Sequence, residues 1–155
     1  MAVITEIFII GFLGTLAGIA VDLTLIFQII VLFILLLGLK YKMDKKFRKH
    51  GIAMSIGVVL HVISILAIMI PSMINFSDLL ITEISSIPII ITWIHAILGL
   101  LSVIIGVFLV VEWRFRAPPK MTCVKRKPLM TPLLIMWILA LILGIIIYIY
   151  AYVPF

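Results

Sequence analysis

Residues 87–127 read IPIIITWIHAILGLLSVIIGVFLVVEW and then RFRAPPKMTCVKRK. The first part is long and almost wholly apolar, and a helix needs roughly 20 such residues to cross the hydrocarbon core of a bilayer. The second part holds six of the 12 lysines and arginines of the chain. Basic loops are retained on the cytoplasmic side of a membrane. This junction therefore predicts a transmembrane helix whose end lies in the cytoplasm.

The same alternation of apolar and basic segments occurs along the whole chain. Apolar runs predict four helices at about residues 7–39, 50–70, 87–113 and 128–152. The other six basic residues lie at 40–49, so 40–49 and 114–127 are predicted cytoplasmic loops, and 71–86 is a predicted outer loop without a cation. We expect one all-α membrane domain over residues 1–155, an up-down four-helix bundle with both termini outside (N-out/C-out), in the plasma membrane.

Composition narrows the classes of function. Hydrophobic residues make up 66% of the chain and the mean hydropathy is +1.45, whereas a soluble domain is about half apolar. The four spans leave no length for a soluble catalytic domain, so we expect no independent catalytic activity. The net charge of +6 lies in the loops, where orientation and contact with anionic lipid explain it. The expected partner is the lipid bilayer, with no nucleic acid.

Two local patterns predict helix geometry. Gly14 and Gly18 have the GxxxG spacing, which lets transmembrane helices approach closely. Pro71 follows the second apolar run, and proline lacks the N–H that a continuing helix uses. We expect Gly14 and Gly18 to lie within the first helix, and the second helix to end at residue 70.

Two of the three histidines lie inside apolar runs, where ionisable groups are costly and are candidates for function. His61 lies 11 residues into the second predicted helix, about 16 Å from its cytoplasmic end. His95 lies nine residues into the third, about 13–14 Å from its outer end. In a hydrocarbon core of about 30 Å, both imidazoles are predicted at the same depth on antiparallel helices.

Small residues flank both histidines and leave space for a ligand. Gly57 and Gly99 each lie one turn to the cytoplasmic side, and Ser102 continues the face of His95. Histidine is a common axial ligand of haem iron, so the pattern favours haem b bound between His61 and His95. The alternatives are another bound metal, a hydrogen-bonded contact between helices, or a proton path.

His50 and Asp22 are further candidates. His50 lies three turns from His61 on one helix face, where it could meet a quinone headgroup, a haem propionate or a second metal, or be an ordinary interfacial histidine. Asp22 lies 17 residues from the cytoplasmic end of the first helix, about 25 Å away. It could orient a ligand histidine from the second shell, gate protons, or be interfacial.

Residues 49–54 (KHGIAM) and 93–98 (WIHAIL) resemble the small membrane proteins of domain-of-unknown-function family 420. The resemblance covers roughly residues 40–115, and His50 and His95 are the positions that match it. It implies a compact helical bundle linked to maturation of haem–copper oxidases. The chain resembles transmembrane b-type cytochromes more loosely.

Three functions remain open. The first is a membrane cytochrome b or haem-binding accessory protein that transfers electrons or supports a respiratory oxidase. The second is a non-catalytic subunit of a larger membrane complex, without its own cofactor. Partners would then be other membrane subunits or a second copy of the chain. The third is a transporter in which Asp22 and the histidines relay protons.

Overall fold

A computed structural model of the protein describes residues 13–15, 17–115 and 125–153. All regular secondary structure in these residues is helical. The elements are α1 (Ile19–Met43), α2 (Phe47–Ser64), a π-helical turn (Ile65–Met69), α3 (Ile70–Asn75), α4 (Ser77–Thr82), α5 (Ile87–Phe115) and α6 (Lys127–Tyr152). Four helices are long and apolar enough to cross a membrane, which confirms the predicted multi-pass class. They are Ile19–Met43, Phe47–Asn75, Ile87–Phe115 and Lys127–Tyr152.

The first helix differs from its prediction at both ends. It begins at Ile19, so Gly14 and Gly18 precede it, and Gly14 adopts φ +72°, a left-handed conformation that suits glycine. The GxxxG interpretation was therefore wrong, and residues 7–12 of the predicted helix lie outside the described residues. At its other end α1 continues to Met43, because the lysines of the predicted loop extend the helix beyond the apolar run.

The second span passes through Pro71, so the predicted end at residue 70 was wrong. Helix runs without a break from Phe47 to Asn75. The five residues Ile65–Met69, just before the proline, form a π-helical turn. Proline cannot donate a backbone hydrogen bond, and a π-helical turn shifts the pairing of the neighbouring carbonyls. The predicted outer loop at 71–86 is consequently mostly helical, as α3 and α4.

The bundle packs α1 against α2, α5 against α6, and α2 against α5. Its core lies midway along the bundle and consists of Val31, Leu35, Val58, Leu109, Leu133 and Trp137. Many large leucine and isoleucine side chains point outward. In lipid such a surface costs nothing, so the outside of the bundle is compatible with a bilayer.

The two ends of the bundle differ in charge. We call the end where α1 joins α2 the basic end, because Lys40, Lys42 and Lys46 lie there; the opposite end is the far end. At the basic end Arg126 and Glu112 form a two-pronged ion pair that joins α6 to α5, with Nε to Oε2 at 2.6 Å. The hydrogen bonds that Arg126 donates to Glu112 raise the pKa of Arg126 above its usual value.

Candidate functional site: the three histidines

His61 is held by α1. Its side chain is 3% exposed, and its Nδ1 lies 3.2 Å from Oε1 of Gln28. The Gln28 amide nitrogen in turn donates to Ser64 Oγ at 2.7 Å. Because an amide oxygen only accepts, Nδ1 of His61 carries the proton in this arrangement. The neutral ring therefore presents a free lone pair at Nε2.

The free nitrogen of His61 faces the bundle interior. Its Nε2 is buried and has no hydrogen-bond partner. The ring lies against Trp137 of α6, with 4.7 Å between ring centroids and a tilt of 47°. On α5, the Ser102 hydroxyl is also buried and has no partner. Buried polar atoms are usually paired, so both atoms are candidates for contact with a ligand.

His95 is held by α6 rather than by α2. Its Nδ1 donates to the backbone carbonyl of Ala140 at 2.8 Å, which again leaves Nε2 as the acceptor nitrogen. The ring lies against Gly144, where an added Cβ would be 3.1 Å from His95 Cε1. A metal-binding histidine commonly donates its second nitrogen to a carbonyl or a side chain in this way. His61 and His95 both meet that requirement.

The two imidazoles lie at neighbouring levels of the bundle. His61 packs on Trp137, and His95 bonds to Ala140, three residues along the same helix. Three residues correspond to about 4.5 Å of helix rise. The structure thus places the two predicted ligands against neighbouring turns of α6.

The flanking glycines have different surroundings. Gly57 packs toward α1, since a Cβ there would be 2.9 Å from Leu35 Cδ2. It does not leave space beside the histidines. Gly99 is buried, yet no atom lies within 4 Å of the place where its Cβ would be. The His95 face of α5 therefore has open space at Gly99, one turn from the unpaired Ser102.

Asp22 does not orient either histidine, as its predicted second-shell role required. It is fully buried at the far end, where Tyr148 OH donates to Oδ1 at 2.5 Å and the Leu13 N–H donates to Oδ2 at 3.0 Å. The Tyr148 oxygen also contacts Thr15 Oγ1 at 2.8 Å. Gln28, rather than Asp22, is the residue that orients a candidate ligand histidine. The sequence signal that could have identified Gln28 is the position of this polar residue inside an apolar run.

His50 lies apart from the other two, at the basic end. It is 2% exposed, and Nδ1 donates to the Gly38 carbonyl at 2.8 Å. It lines a cavity of about 50 Å³ between α2, α5 and α6. Trp113 lines the same cavity, and its indole N–H is buried without a partner. Within the described ranges, no group of three or more His, Cys, Asp or Glu side chains is placed to hold a metal ion.

The chain matches no protein-family model, no curated protein and no solved structure. Function must therefore be argued from the buried polar groups themselves.

Proposed function

We propose that the protein binds haem b through His61 and His95 and serves electron transfer or the support of a respiratory oxidase. The observation that carries the proposal is the buried, unpaired Nε2 of His61. Its partner His95 has Nδ1 committed to Ala140, so both rings are fixed in the tautomer that ligates through Nε2.

The two imidazole nitrogens suit haem iron, but the space between the described helices is small for a haem. Haem with two histidine ligands would supply one-electron transfer. Trp137 borders a cavity of about 50 Å³, but neither His61 nor His95 lines it, and pockets for cofactors are typically about 300–1,000 Å³. Trp137 covers the His61 ring. Haem binding therefore requires α6 to move away from α2, and the Trp137 side chain must move first because it covers His61.

The test is the visible absorption spectrum of the purified protein in its reduced form. A sharp α-band that is lost in both His61→Ala and His95→Ala, and kept in His50→Asn, supports the proposal. The His50→Asn variant is the matched control, because it removes a buried histidine outside the pair. The proposal is contradicted if the protein is colourless, has intact helices and shows no α-band after haem is added.

A second candidate is a cofactor-free subunit of a larger membrane complex, and the close packing around His61 favours it. The partner would be another membrane subunit or a second copy of the chain. The exposed leucine and isoleucine side chains of the spans suit such a contact as well as they suit lipid. Purification of a stoichiometric partner without pigment would favour this function over haem binding.

Orientation and location belong to the same proposal. The basic end carries residues of both predicted loops, among them Lys40, Lys46 and Arg126, so we propose that it faces the cytoplasm and that both termini lie outside. The plasma membrane of a prokaryotic cell is the membrane in which respiratory electron transfer takes place. The basic end would then contact anionic headgroups.

A further inference from the structure

The cavity at the basic end has polar groups that the haem proposal leaves unused. His50 presents Nε2 as an acceptor, because its Nδ1 proton is bonded to the Gly38 carbonyl. Trp113 presents a buried N–H without a partner. One free acceptor and one free donor line the same small space. The molecule that satisfies both offers an oxygen that accepts and, in its reduced form, a hydroxyl that donates.

The position of Trp113 is imposed by its neighbour. A Cβ at Gly51 would overlap the Trp113 indole ring, so only glycine at this position allows the ring to lie against α2. Apart from His50 and Ser55, the lining side chains are apolar or aromatic, and they include Met54 and Met130. The Ser55 hydroxyl is already bonded to the Gly51 carbonyl. The cavity is therefore an apolar space with two free polar contacts.

A second space, bordered by exposed side chains, shares lining residues with the cavity. A groove of about 210 Å³ lies between α2 and α5 and is lined only by valine and isoleucine side chains. Val58 and Val110 border both the groove and the cavity. The two spaces together suit a ligand with a hydrogen-bonding ring and an apolar tail. Such a ligand reaches the groove from the bilayer.

We propose that this combined site binds a lipid-soluble quinone in its reduced, quinol form, with one hydroxyl donating to His50 Nε2, the other oxygen accepting from the Trp113 N–H, and the tail in the valine groove. A volume of about 50 Å³ holds a few water molecules, so the ring is accommodated by movement of Met54 and Met130. Methionine side chains adapt readily to the shape of a ligand. A quinone is a suitable electron partner for a membrane haem, but the site is built from its own contacts and does not rest on haem binding.

The experiment titrates a decyl-substituted benzoquinol, kept in its reduced form, into the full chain in nanodiscs. Binding is followed by calorimetry, and the heat measured with empty nanodiscs is subtracted. We expect one saturable site per chain. Trp113→Phe removes only the donor. His50→Asn keeps a donor for Gly38 but removes the Nε2 acceptor. Each change should raise Kd about three- to tenfold, the effect of losing one hydrogen bond. Trp93→Phe is the matched control and should leave Kd unchanged, because the Trp93 N–H bonds to Leu80 elsewhere.

A third variant tests the groove without touching the polar groups. Val111→Phe fills the groove from its exposed rim and should weaken binding of the decyl quinol while sparing a quinol without a tail. Three results would overturn the proposal: binding that never saturates, the same Kd in all variants, or binding of decanol as tight as that of the decyl-substituted ligand. Calorimetry does not depend on haem, so the two proposals can fail separately. A protein that binds the quinol but no haem overturns only the haem proposal. A protein that binds haem but no quinol overturns only the quinone proposal.

Discussion

His61 Nδ1 and Gln28 Oε1 lie 3.2 Å apart across the interface between α1 and α2. This hydrogen bond assigns the tautomer of the histidine and leaves Nε2 as the free nitrogen. The same glutamine reaches Ser64 one turn further along α2. One side chain of the first helix therefore orients the best candidate ligand of the second.

Replacing Gln28 tests this arrangement. Gln28→Leu leaves the buried His61 and Ser64 groups without their partner, and we expect a loss of about 1–3 kcal/mol in the free energy of unfolding. Thermal unfolding in detergent measures it. If haem binds, occupancy should also fall, because the ring is no longer held in one orientation. Thr24→Val is a suitable control, since the Thr24 hydroxyl bonds only to the backbone of its own helix. Equal unfolding of both variants would contradict the assigned role of Gln28.

Two glycine substitutions should have opposite effects. At Gly51 a Cβ overlaps the Trp113 ring, so Gly51→Ala should destabilise the bundle by about 1–3 kcal/mol, the usual cost of overpacking. At Gly99 the Cβ meets open space, so Gly99→Ala should be neutral or stabilising by up to about 1 kcal/mol. Unfolding midpoints of the two variants, compared in one detergent, check the expected order. A Gly99→Ala protein that fails to fold would show that the open space is not present.

The hydrogen bond between Tyr148 and Asp22 should contribute more to the free energy of unfolding than an average hydrogen bond at the surface. Tyr148→Phe leaves a buried carboxyl group short of a donor at the far end, and we expect a loss of about 1–3 kcal/mol. Tyr150→Phe removes an equivalent hydroxyl from an exposed side chain of the same helix and should cost much less. A double-mutant cycle with Asp22→Leu isolates the pair; a coupling energy near zero would contradict the contact.

The proposed orientation can be tested with the single cysteine of the chain. Cys123 belongs to the second basic stretch, so in intact cells a membrane-impermeant maleimide should label it only after permeabilisation. In a Cys123→Ser protein that also carries Ser85→Cys, labelling should occur without permeabilisation, because residue 85 lies between α4 and α5 at the other end of the spans. The reverse pattern would place the basic end outside.

Much of the architecture was predictable because lipid imposes simple requirements. Apolar runs of about 20 residues must be helical to satisfy their backbone groups, so the number and order of the spans follow from composition. The ends were less predictable. Pro71 remains inside a span because a π-helical turn absorbs it, and α1 runs on to Met43 because lysines are good helix formers.

The site was predictable in part. Depth counted along each helix brought His61 and His95 near each other, but it could not indicate that His95 is held by Ala140 of α6 or that Trp137 covers His61. Those contacts depend on helix rotation, and periodicity is a poor guide to rotation when every face of a helix is apolar. Helix rotation also explains why Gln28, and not Asp22, orients a candidate ligand histidine.

The amino-acid sequence by itself determined a multi-pass helical protein, since hydropathy acts through the local free energy of transfer into lipid. Only the tertiary structure decided which nitrogen of each histidine is free, which glycine leaves space and which packs tightly, and which buried donor lacks a partner. Those properties arise from contacts between helices far apart in the chain. For His61, Gly99 and Trp113, such contacts determine what the site can bind.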